Sequence, residues 1–310
     1  MNGRIQPPNA VQHTKKERGR FGSLRENFMR HMLIASVFAL FGMVFAESAS
    51  AATYNLFVHG RSGKSHCQSL TSTASGQTDY NNYWGGSVTG LTNVRYVGFD
   101  GTKSGGAYSW SSCGAQSQFH AALNTFCRNG NSCNIYTHST GGLVAAYYLY
   151  ANGTSGLSIS DIRLMADASG GSELADFSTS YLAWLGFDTL GGNLDESVST
   201  GGARSWNHNS TGGLMIDVTS GESSDYLGVT SPLLPGQDDG VLANHTLCSV
   251  NQVATIDRSC PIGSGSIKES YACGFMWLST CYKTYYRWSN HYTVLMRSSS
   301  THGTSKTHYR

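Results

Sequence analysis

The fold that this sequence predicts is decided by the stretch Ile135-Tyr136-Thr137-His138-Ser139-Thr140-Gly141-Gly142-Leu143. An apolar start, a central serine, two glycines and a long apolar continuation predict a short buried strand, a tight turn and a helix. On such a turn the hydroxyl of Ser139 points out of the sheet, where it can act as a nucleophile. The turn is strained, so the residues two positions before and after the serine should be small. Gly141 meets that condition, whereas the β-branched Thr137 departs from it, and an ordinary structural turn is the alternative.

Strand and helix patterns alternate along the rest of the chain. Residues rich in β-formers predict strands at 54–58, 93–99, 134–136 and 214–218, and a further strand within 159–166, around 162–165. Apolar residues at helical spacing predict a helix at 116–128, and a continuous apolar run predicts another at 142–150. Strands that alternate with helices form a mostly parallel sheet flanked by helices, so the expected class is a single α/β domain.

The first strand ends in His59-Gly60-Arg61-Ser62-Gly63. Acyl transfer passes through a tetrahedral intermediate whose oxyanion needs backbone N–H donors. One donor is expected from the residue after the nucleophile, here Thr140, and the other from the loop after an early strand. Because glycines let that loop approach a substrate closely, we expect the backbone N–H of Arg61 to be the second donor. A glycine turn without function is the alternative.

An acid and a base should follow the serine in the order Ser, Asp or Glu, His. The acid candidates are Asp238 and Asp239, which stand before Gly240, and Asp239 is preferred. The base candidate is His291, which precedes an apolar run. In this arrangement His291 takes the proton of Ser139, and Asp239 fixes the imidazole tautomer and stabilises its cation. A plain Asp-Gly turn is the alternative interpretation of the acid site.

Five other histidines are set aside by their positions. One lies only six residues beyond Asp239, two belong to the oxyanion loop and the serine turn, and two stand in a polar C-terminal tail that is expected to fray. They are, in that order, His245, His59, His138, His302 and His308.

The N-terminal segment has the pattern of a secretory signal peptide. An uninterrupted apolar run at 32–46 follows a basic stretch and precedes Ala49-Ser50-Ala51. A basic region, an apolar run and an A-x-A site predict export and cleavage. The run is shorter than the roughly 20 residues that span a bilayer, and a membrane anchor is the alternative. We therefore expect a leader with its signal peptide at 1–51, one domain at 52–310, and an extracellular or periplasmic location.

The charge of the expected mature chain excludes one class of partner. The chain has 21 Lys and Arg against 19 Asp and Glu, and 1–51 holds seven of the former and three of the latter. Residues 52–310 therefore carry a net charge of −2. The sequence does not show the clustered basic residues that would indicate nucleic acid as a partner.

All eight cysteines lie beyond the leader, which predicts disulfides in an oxidising compartment. Proximity in sequence suggests that Cys127 pairs with Cys133 and that Cys273 pairs with Cys281. The sequence contains no C-x-x-C spacing, which would have indicated a metal site.

Five motifs, in this order, resemble those of the secreted bacterial triacylglycerol lipases of the α/β-hydrolase superfamily. They are YNLFVHG at 54–60, THSTGG at 137–142, GSELADF at 171–177, GVTS at 228–231 with QDDGV at 237–241, and NH at 290–291. The resemblance implies the α/β-hydrolase fold, a triad of Ser139, Asp239 and His291, and a lid at 171–212. It favours Asp239 over Asp238, because the catalytic aspartate of those lipases directly precedes a glycine.

Two departures from those lipases lead to further expectations. Tyr292 and Thr293 stand where the lipases often have an acidic calcium ligand after the base, so we expect neither a metal nor another cofactor. The base also lies farther beyond the acid than in the lipases. The cysteines between them predict a disulfide-rich insertion at 246–285.

The predicted function is therefore that of an extracellular serine hydrolase, lipase or esterase, that cleaves carboxylic esters through an acyl-enzyme intermediate on Ser139. Its partner is an ester or lipid substrate, met through transient contact with a lipid interface. An acyltransferase or amidase with the same triad is one alternative. A non-catalytic binding protein on a hydrolase scaffold is the other.

Overall fold

A computed structural model describes residues 51–61, 67, 78–176, 192–205, 214, 216–224, 228, 230–234, 238–243, 246–247, 266–273, 279–286, 292–297 and 300–307. Between 266 and 297 it describes the backbone alone. The predicted signal peptide lies outside these residues, as do much of the predicted lid and most of the predicted insertion.

The described residues form eight strands, of which six make one parallel sheet. The strands are β1 (Thr53–Val58), β2 (Val94–Val97), β3 (Ser132–His138), β4 (Ile159–Met165), β5 (Ile216–Gly221), β6 (Ser266–Cys273), β7 (Ser279–Tyr286) and β8 (Tyr292–Arg297). The sheet has the order β2-β1-β3-β4-β5-β8, and every neighbouring pair in it is parallel. The carboxyl ends of all six strands therefore lie along one edge, where loops bring distant parts of the chain together.

Short helices connect and flank these strands. They are α1 (Thr78–Trp84), α2 (Ala115–Phe126), α3 (Thr140–Asn152), α4 (Asn193–Val198), α5 (Thr200–Arg204) and α6 (His302–Ser305). Helix α3 is buried along most of its length because its sequence is apolar on nearly every side. It ends at Gly153, whose φ of 66° is a conformation that glycine adopts without strain.

Apolar side chains cover both faces of the sheet. Because side chains alternate along a strand, Leu56 and Val58 of β1 join the cluster that contains α2 and α3, whereas Phe57 joins the cluster on the opposite face. Phe57 stacks on Tyr136 of the neighbouring strand at a ring-centroid distance of 4.8 Å and meets Trp84 of α1 edge-on at 5.0 Å. Burial on both faces is what a parallel sheet requires.

Two disulfides staple the described part of the chain. Cys127 pairs with Cys133 and joins the end of α2 to β3, and this predicted pair is confirmed. Cys67 pairs with Cys113. The side chains that the predicted pairing of Cys273 with Cys281 would involve lie outside the described residues.

The predicted α/β-hydrolase fold, a mostly parallel sheet flanked by helices and stapled by disulfides, is confirmed by this topology. The predicted strand at 134–136 is longer, Ser132–His138, and the helix predicted at 116–128 is Ala115–Phe126. Within and just beyond the predicted insertion, β6 and β7 pair as an antiparallel hairpin. Among the described residues, none of the helices has both the length and the apolar character needed to cross a membrane.

Candidate active site

Ser139 occupies the turn between β3 and α3 in a conformation that non-glycine residues rarely adopt. Its φ is 56° and its ψ is −124°. Such strain costs of order 1–3 kcal/mol and persists only where the surroundings enforce it. The N–H of Ser139 donates to the carbonyl oxygen of Met165 at 3.0 Å, and its own carbonyl oxygen accepts from Gly142 at 2.9 Å and Ala168 at 3.2 Å. The end of β4 and the start of α3 therefore hold the serine in place.

Two glycines allow the backbone to close tightly around this turn. A Cβ atom on Gly60 would lie 2.7 Å from Cβ of Ser139, and one on Gly141 would lie 2.5 Å from the carbonyl oxygen of Val58. The requirement for a small residue at 141 thus comes from its contact with β1. Thr137 is fully buried within β3, so its branched side chain is accommodated in the strand.

The two predicted oxyanion donors belong to segments that meet at one cavity. Thr140 is the first residue of α3, and Arg61 follows β1; both line the cavity that contains Ser139. The guanidinium of Arg61 donates to the carboxylate of Asp195 through Nε at 2.8 Å and Nη2 at 3.2 Å. This two-point ion pair ties the loop after β1 to α4. The donor roles of the two N–H groups stay predictions.

Asp239 is fully buried, and its two carboxylate oxygens have separate partners. Oδ1 accepts from the backbone N–H groups of Val241 at 3.0 Å and Leu242 at 2.8 Å. Oδ2 lies 2.9 Å from Nδ1 of His302, whose backbone N–H donates to the Asp239 carbonyl oxygen at 2.9 Å. An ionised carboxylate only accepts, so Nδ1 carries the proton and Nε2 is left as the basic nitrogen. His302 lines the same cavity as Ser139.

The segment that carries His302 is ordered by a capped helical turn. Thr301 is the N-cap of α6 and exchanges hydrogen bonds with Thr304 in a capping box. Ser305 is fully buried, and its hydroxyl donates to the carbonyl oxygen of Thr301 at 2.8 Å. The expectation that this tail frays is wrong for 301–307, and sequence reasoning therefore missed His302.

The predicted base, His291, lies outside the described residues, and Asp239 is paired instead with His302. The strand β8 starts with Tyr292 opposite the first residue of β5 and runs parallel to it. The residues that follow β8 therefore stand at the carboxyl edge of the sheet, where ligands bind in such folds. The apolar run at 292–296 is the sequence signal that could have indicated a last strand, with the base on the residues that follow it.

Asp238 makes different contacts from those of the adjacent Asp239. Its Oδ1 accepts from the N–H of Gly240 at 2.9 Å and from the hydroxyl of Ser231 at 3.3 Å. Burial raises the pKa of the Asp238 carboxyl, although these two hydrogen bonds lower it in part. Asp238 also forms an isolated antiparallel bridge with Ala243. It thereby braces the turn that presents Asp239.

A further carboxyl group, that of Asp167, is fully buried behind the serine turn. It accepts from the N–H of Ser169 at 3.0 Å and from the Ser169 hydroxyl at 2.5 Å. Burial raises the pKa of Asp167 to about 7, and the two hydrogen bonds oppose that rise. A Cβ atom on Gly142 would overlap this carboxyl group, so Asp167 packs directly against the first turn of α3.

The cavity over Ser139 has a volume of about 310 Å³. Its polar lining residues include Ser139, His302, Arg61, Tyr83 and Lys306. Its apolar lining residues are Ala168, Leu174, Ala175, Val198, Val241 and Leu242. The cavity could therefore contact both a polar reacting group and an apolar chain. Within the described ranges, no three His, Cys, Asp or Glu side chains are arranged to hold a metal ion.

A parallel sheet, a strained serine turn at its carboxyl edge and a buried Asp–His pair beside it define the hydrolase type of α/β fold. The sequence matches no protein-family model, and no curated protein matches it. Among solved structures, the chain is similar to phospholipase PlaB from Legionella pneumophila, with 18% identity and a TM-score of 0.44 over 76% of this chain and 51% of that one. The complex of PlaB with thio-NAD gives 17% identity and a TM-score of 0.46 over 82% and 53%. The chain thus spans about half the length of these solved chains.

Proposed function

We propose that this protein is a secreted serine hydrolase that cleaves carboxylic esters, with Ser139 as nucleophile, His302 as general base and Asp239 as the acid of the triad. One observation carries the proposal. His302, whose ring is paired with the buried Asp239, lines the same cavity as the strained Ser139, although 163 positions separate the serine from the histidine. A strained residue persists only where the surroundings enforce it, and such strain clusters at active sites.

The chemistry follows from the proton positions. His302 donates Nδ1–H to Asp239, so its Nε2 can take the proton from the hydroxyl of Ser139 as the oxygen attacks the acyl carbon. The alcohol leaves with that proton, and the acyl group stays on Ser139. Water then attacks the acyl-enzyme and gives a proton to His302, which passes it to the oxygen of Ser139 as the acyl–oxygen bond breaks and the acid is released.

The negative charge that develops on the acyl oxygen meets two sources of stabilisation. The backbone N–H groups of Thr140 and Arg61 are the proposed donors. The amino end of α3, a helix of 13 residues, adds the positive end of its dipole at the same place.

The substrate class is proposed from the walls of the cavity. An acyl or alkyl chain would contact the apolar side chains that line the cavity, which are Ala168, Leu174, Ala175, Val198, Val241 and Leu242. Partly apolar clefts with a few convergent polar groups are typical of small-molecule sites. An ester or lipid that presents its carbonyl group to Ser139 fits this mixed lining.

Secretion is proposed because disulfides persist in oxidising compartments. The pairs Cys67–Cys113 and Cys127–Cys133 fit that environment. The basic, apolar and small-residue pattern of 1–51 supplies the export signal in this proposal.

The test is hydrolysis of a p-nitrophenyl ester series, from acetate to palmitate, by protein with its disulfides formed, beside the Ser139→Ala variant. We expect hydrolysis that the variant loses, and covalent labelling of Ser139 by a fluorophosphonate probe. Labelling without ester hydrolysis would support the amidase or acyltransferase alternative. Absence of both from folded protein would support a non-catalytic binding protein and would overturn the proposal.

A further inference from the structure

A chain of three hydrogen bonds joins the oxyanion loop to the segment that carries the proposed base. The backbone N–H of Gly60 donates to the hydroxyl oxygen of Tyr83 at 2.9 Å. The same hydroxyl is hydrogen-bonded to Nδ1 of His138. Nε2 of His138 lies 2.9 Å from the carbonyl oxygen of His302. This series of hydrogen bonds thus begins at the residue next to Arg61 and ends on the backbone of His302.

The direction of each bond follows from the chemistry of its ends. The carbonyl oxygen of His302 can only accept, so Nε2 of His138 carries a proton. A neutral imidazole then accepts at Nδ1, so the Tyr83 hydroxyl donates to it. The hydroxyl oxygen of Tyr83 in turn accepts from Gly60. Every donor has one acceptor, and this holds only while His138 is neutral.

The surroundings keep His138 in that neutral form. Its side chain is buried, and burial lowers the pKa of His138 well below its ordinary value. The nearby His302, Lys306 and His59 also disfavour a positive charge on it, while the hydrogen bond to the His302 carbonyl opposes them in part. Burial raises the pKa of the Tyr83 hydroxyl, so that group keeps the proton that it donates.

Ring contacts fix the two middle members of the chain. The rings of Tyr83 and His138 lie 5.7 Å apart, and the ring of His302 lies 4.9 Å from that of His138. The ammonium group of Lys306, one turn beyond His302, lies 4.7 Å from the centre of the Tyr83 ring. Residues from α1, β3 and α6 therefore meet in one packed cluster at the wall of the cavity.

We propose that His138 and Tyr83 are positioning residues. They hold the segment that carries His302 and the loop of Gly60 and Arg61 in fixed positions relative to Ser139. The proposal rests on the proposed function. His138 does not act on the substrate, because both of its ring nitrogens are already engaged. It acts by fixing the backbone of His302, since a misplacement of about 1 Å in a catalytic group can cost about 100-fold in rate.

Two substitutions of His138 separate the two ends of the chain. In His138→Asn the side-chain oxygen stands near the place of Nδ1 and can still accept from Tyr83, but the donor to His302 is lost. In His138→Gln the amide nitrogen stands near the place of Nε2 and can still donate to His302. We expect His138→Asn to lower kcat about 10- to 100-fold with KM nearly unchanged, and His138→Gln to restore most of that kcat.

A third variant does not alter the histidine. Tyr83→Phe removes one oxygen atom, which leaves Gly60 without its acceptor and His138 without its donor. We expect kcat to fall in the same range as in His138→Asn. Circular dichroism and thermal unfolding would show that each variant is folded; if His138→Asn is not, Tyr83→Phe decides the question.

The outcomes distinguish this proposal from the proposed function. Wild-type esterase activity that depends on Ser139, together with unchanged kcat in His138→Asn and Tyr83→Phe, would overturn the positioning roles alone. Equal losses in the Asn and Gln variants would also overturn the role of the bond to His302. Absence of esterase activity in the wild type would instead overturn the proposed function.

Discussion

At the scale of single residues, the two adjacent aspartates form a matched pair for testing the triad. Asp239→Asn places an amide against Nδ1 of His302, so the imidazole proton moves to Nε2 and the base is lost. We expect kcat for p-nitrophenyl acetate to fall by roughly three to four orders of magnitude. Asp238→Asn keeps the size of a group that braces the turn, and we expect kcat within about twofold of the wild type. Similar kcat values in the two variants would contradict the assignment of Asp239.

A second residue-scale prediction concerns Asp167, whose burial raises its pKa to about 7. An unfolded aspartate has a pKa of about 3.9, so between these values the folded protein binds the extra proton. Its contribution to stability is therefore full below about pH 4 and is lost as the pH rises to about 7. The side chain of the isosteric Asp167→Asn variant does not titrate, so the variant does not lose stability at this position as the pH rises.

We expect the Asp167→Asn variant to gain free energy of unfolding relative to the wild type between pH 5 and pH 8, by up to about 1.4 kcal/mol per pH unit within the titration range. Urea unfolding at the two pH values, with disulfides intact, measures the difference. A difference that is the same at both pH values would show that Asp167 is ionised in the folded protein.

At the scale of elements, the outer wall of the cavity is built by short helices rather than by the sheet. A 3-10 helix, Glu173–Asp176, supplies Leu174 and Ala175, and α4 supplies Val198. A buried ion pair between Arg204 and Glu173, at 3.2 Å, joins this wall to α5. The site therefore places its reactive groups on the rigid sheet edge and its apolar contacts on short elements beside it.

Ala175 lines the cavity on this wall and is only partly buried. Ala175→Phe narrows the cavity without changing Ser139 or His302. We expect kcat/KM for the palmitate ester to fall at least about tenfold relative to that for acetate, since a lost apolar contact of 1–3 kcal/mol corresponds to such a factor. Acetate is the control within the same variant. An unchanged ratio would show that acyl chains bind elsewhere.

At the scale of the whole molecule, the local part of the site could be predicted from sequence and the assembled part could not. Ser139, Thr140 and Gly141 are adjacent, so strand, turn and helix signals locate them together. The pairing of Asp239 with His302 depends on β5 and β8 lying side by side, which no local pattern states. A polar tail with a Thr301 cap has weak helical signals, because its order comes from contacts with the sheet edge.

The two disulfides allow the last prediction, because they close loops of very different length. Cys67–Cys113 spans 46 residues and Cys127–Cys133 spans 6. If disulfides stabilise mainly by restricting the unfolded chain, the double alanine variant of the long loop should lose about 4 kcal/mol of unfolding free energy and that of the short loop about 2 kcal/mol. Urea unfolding of both variants tests the order. Cys127 and Cys133 are fully buried, whereas Cys67 is exposed. A larger loss for the short loop would therefore show that packing of the buried sulfurs, and not loop closure, dominates what these bonds contribute to the fold.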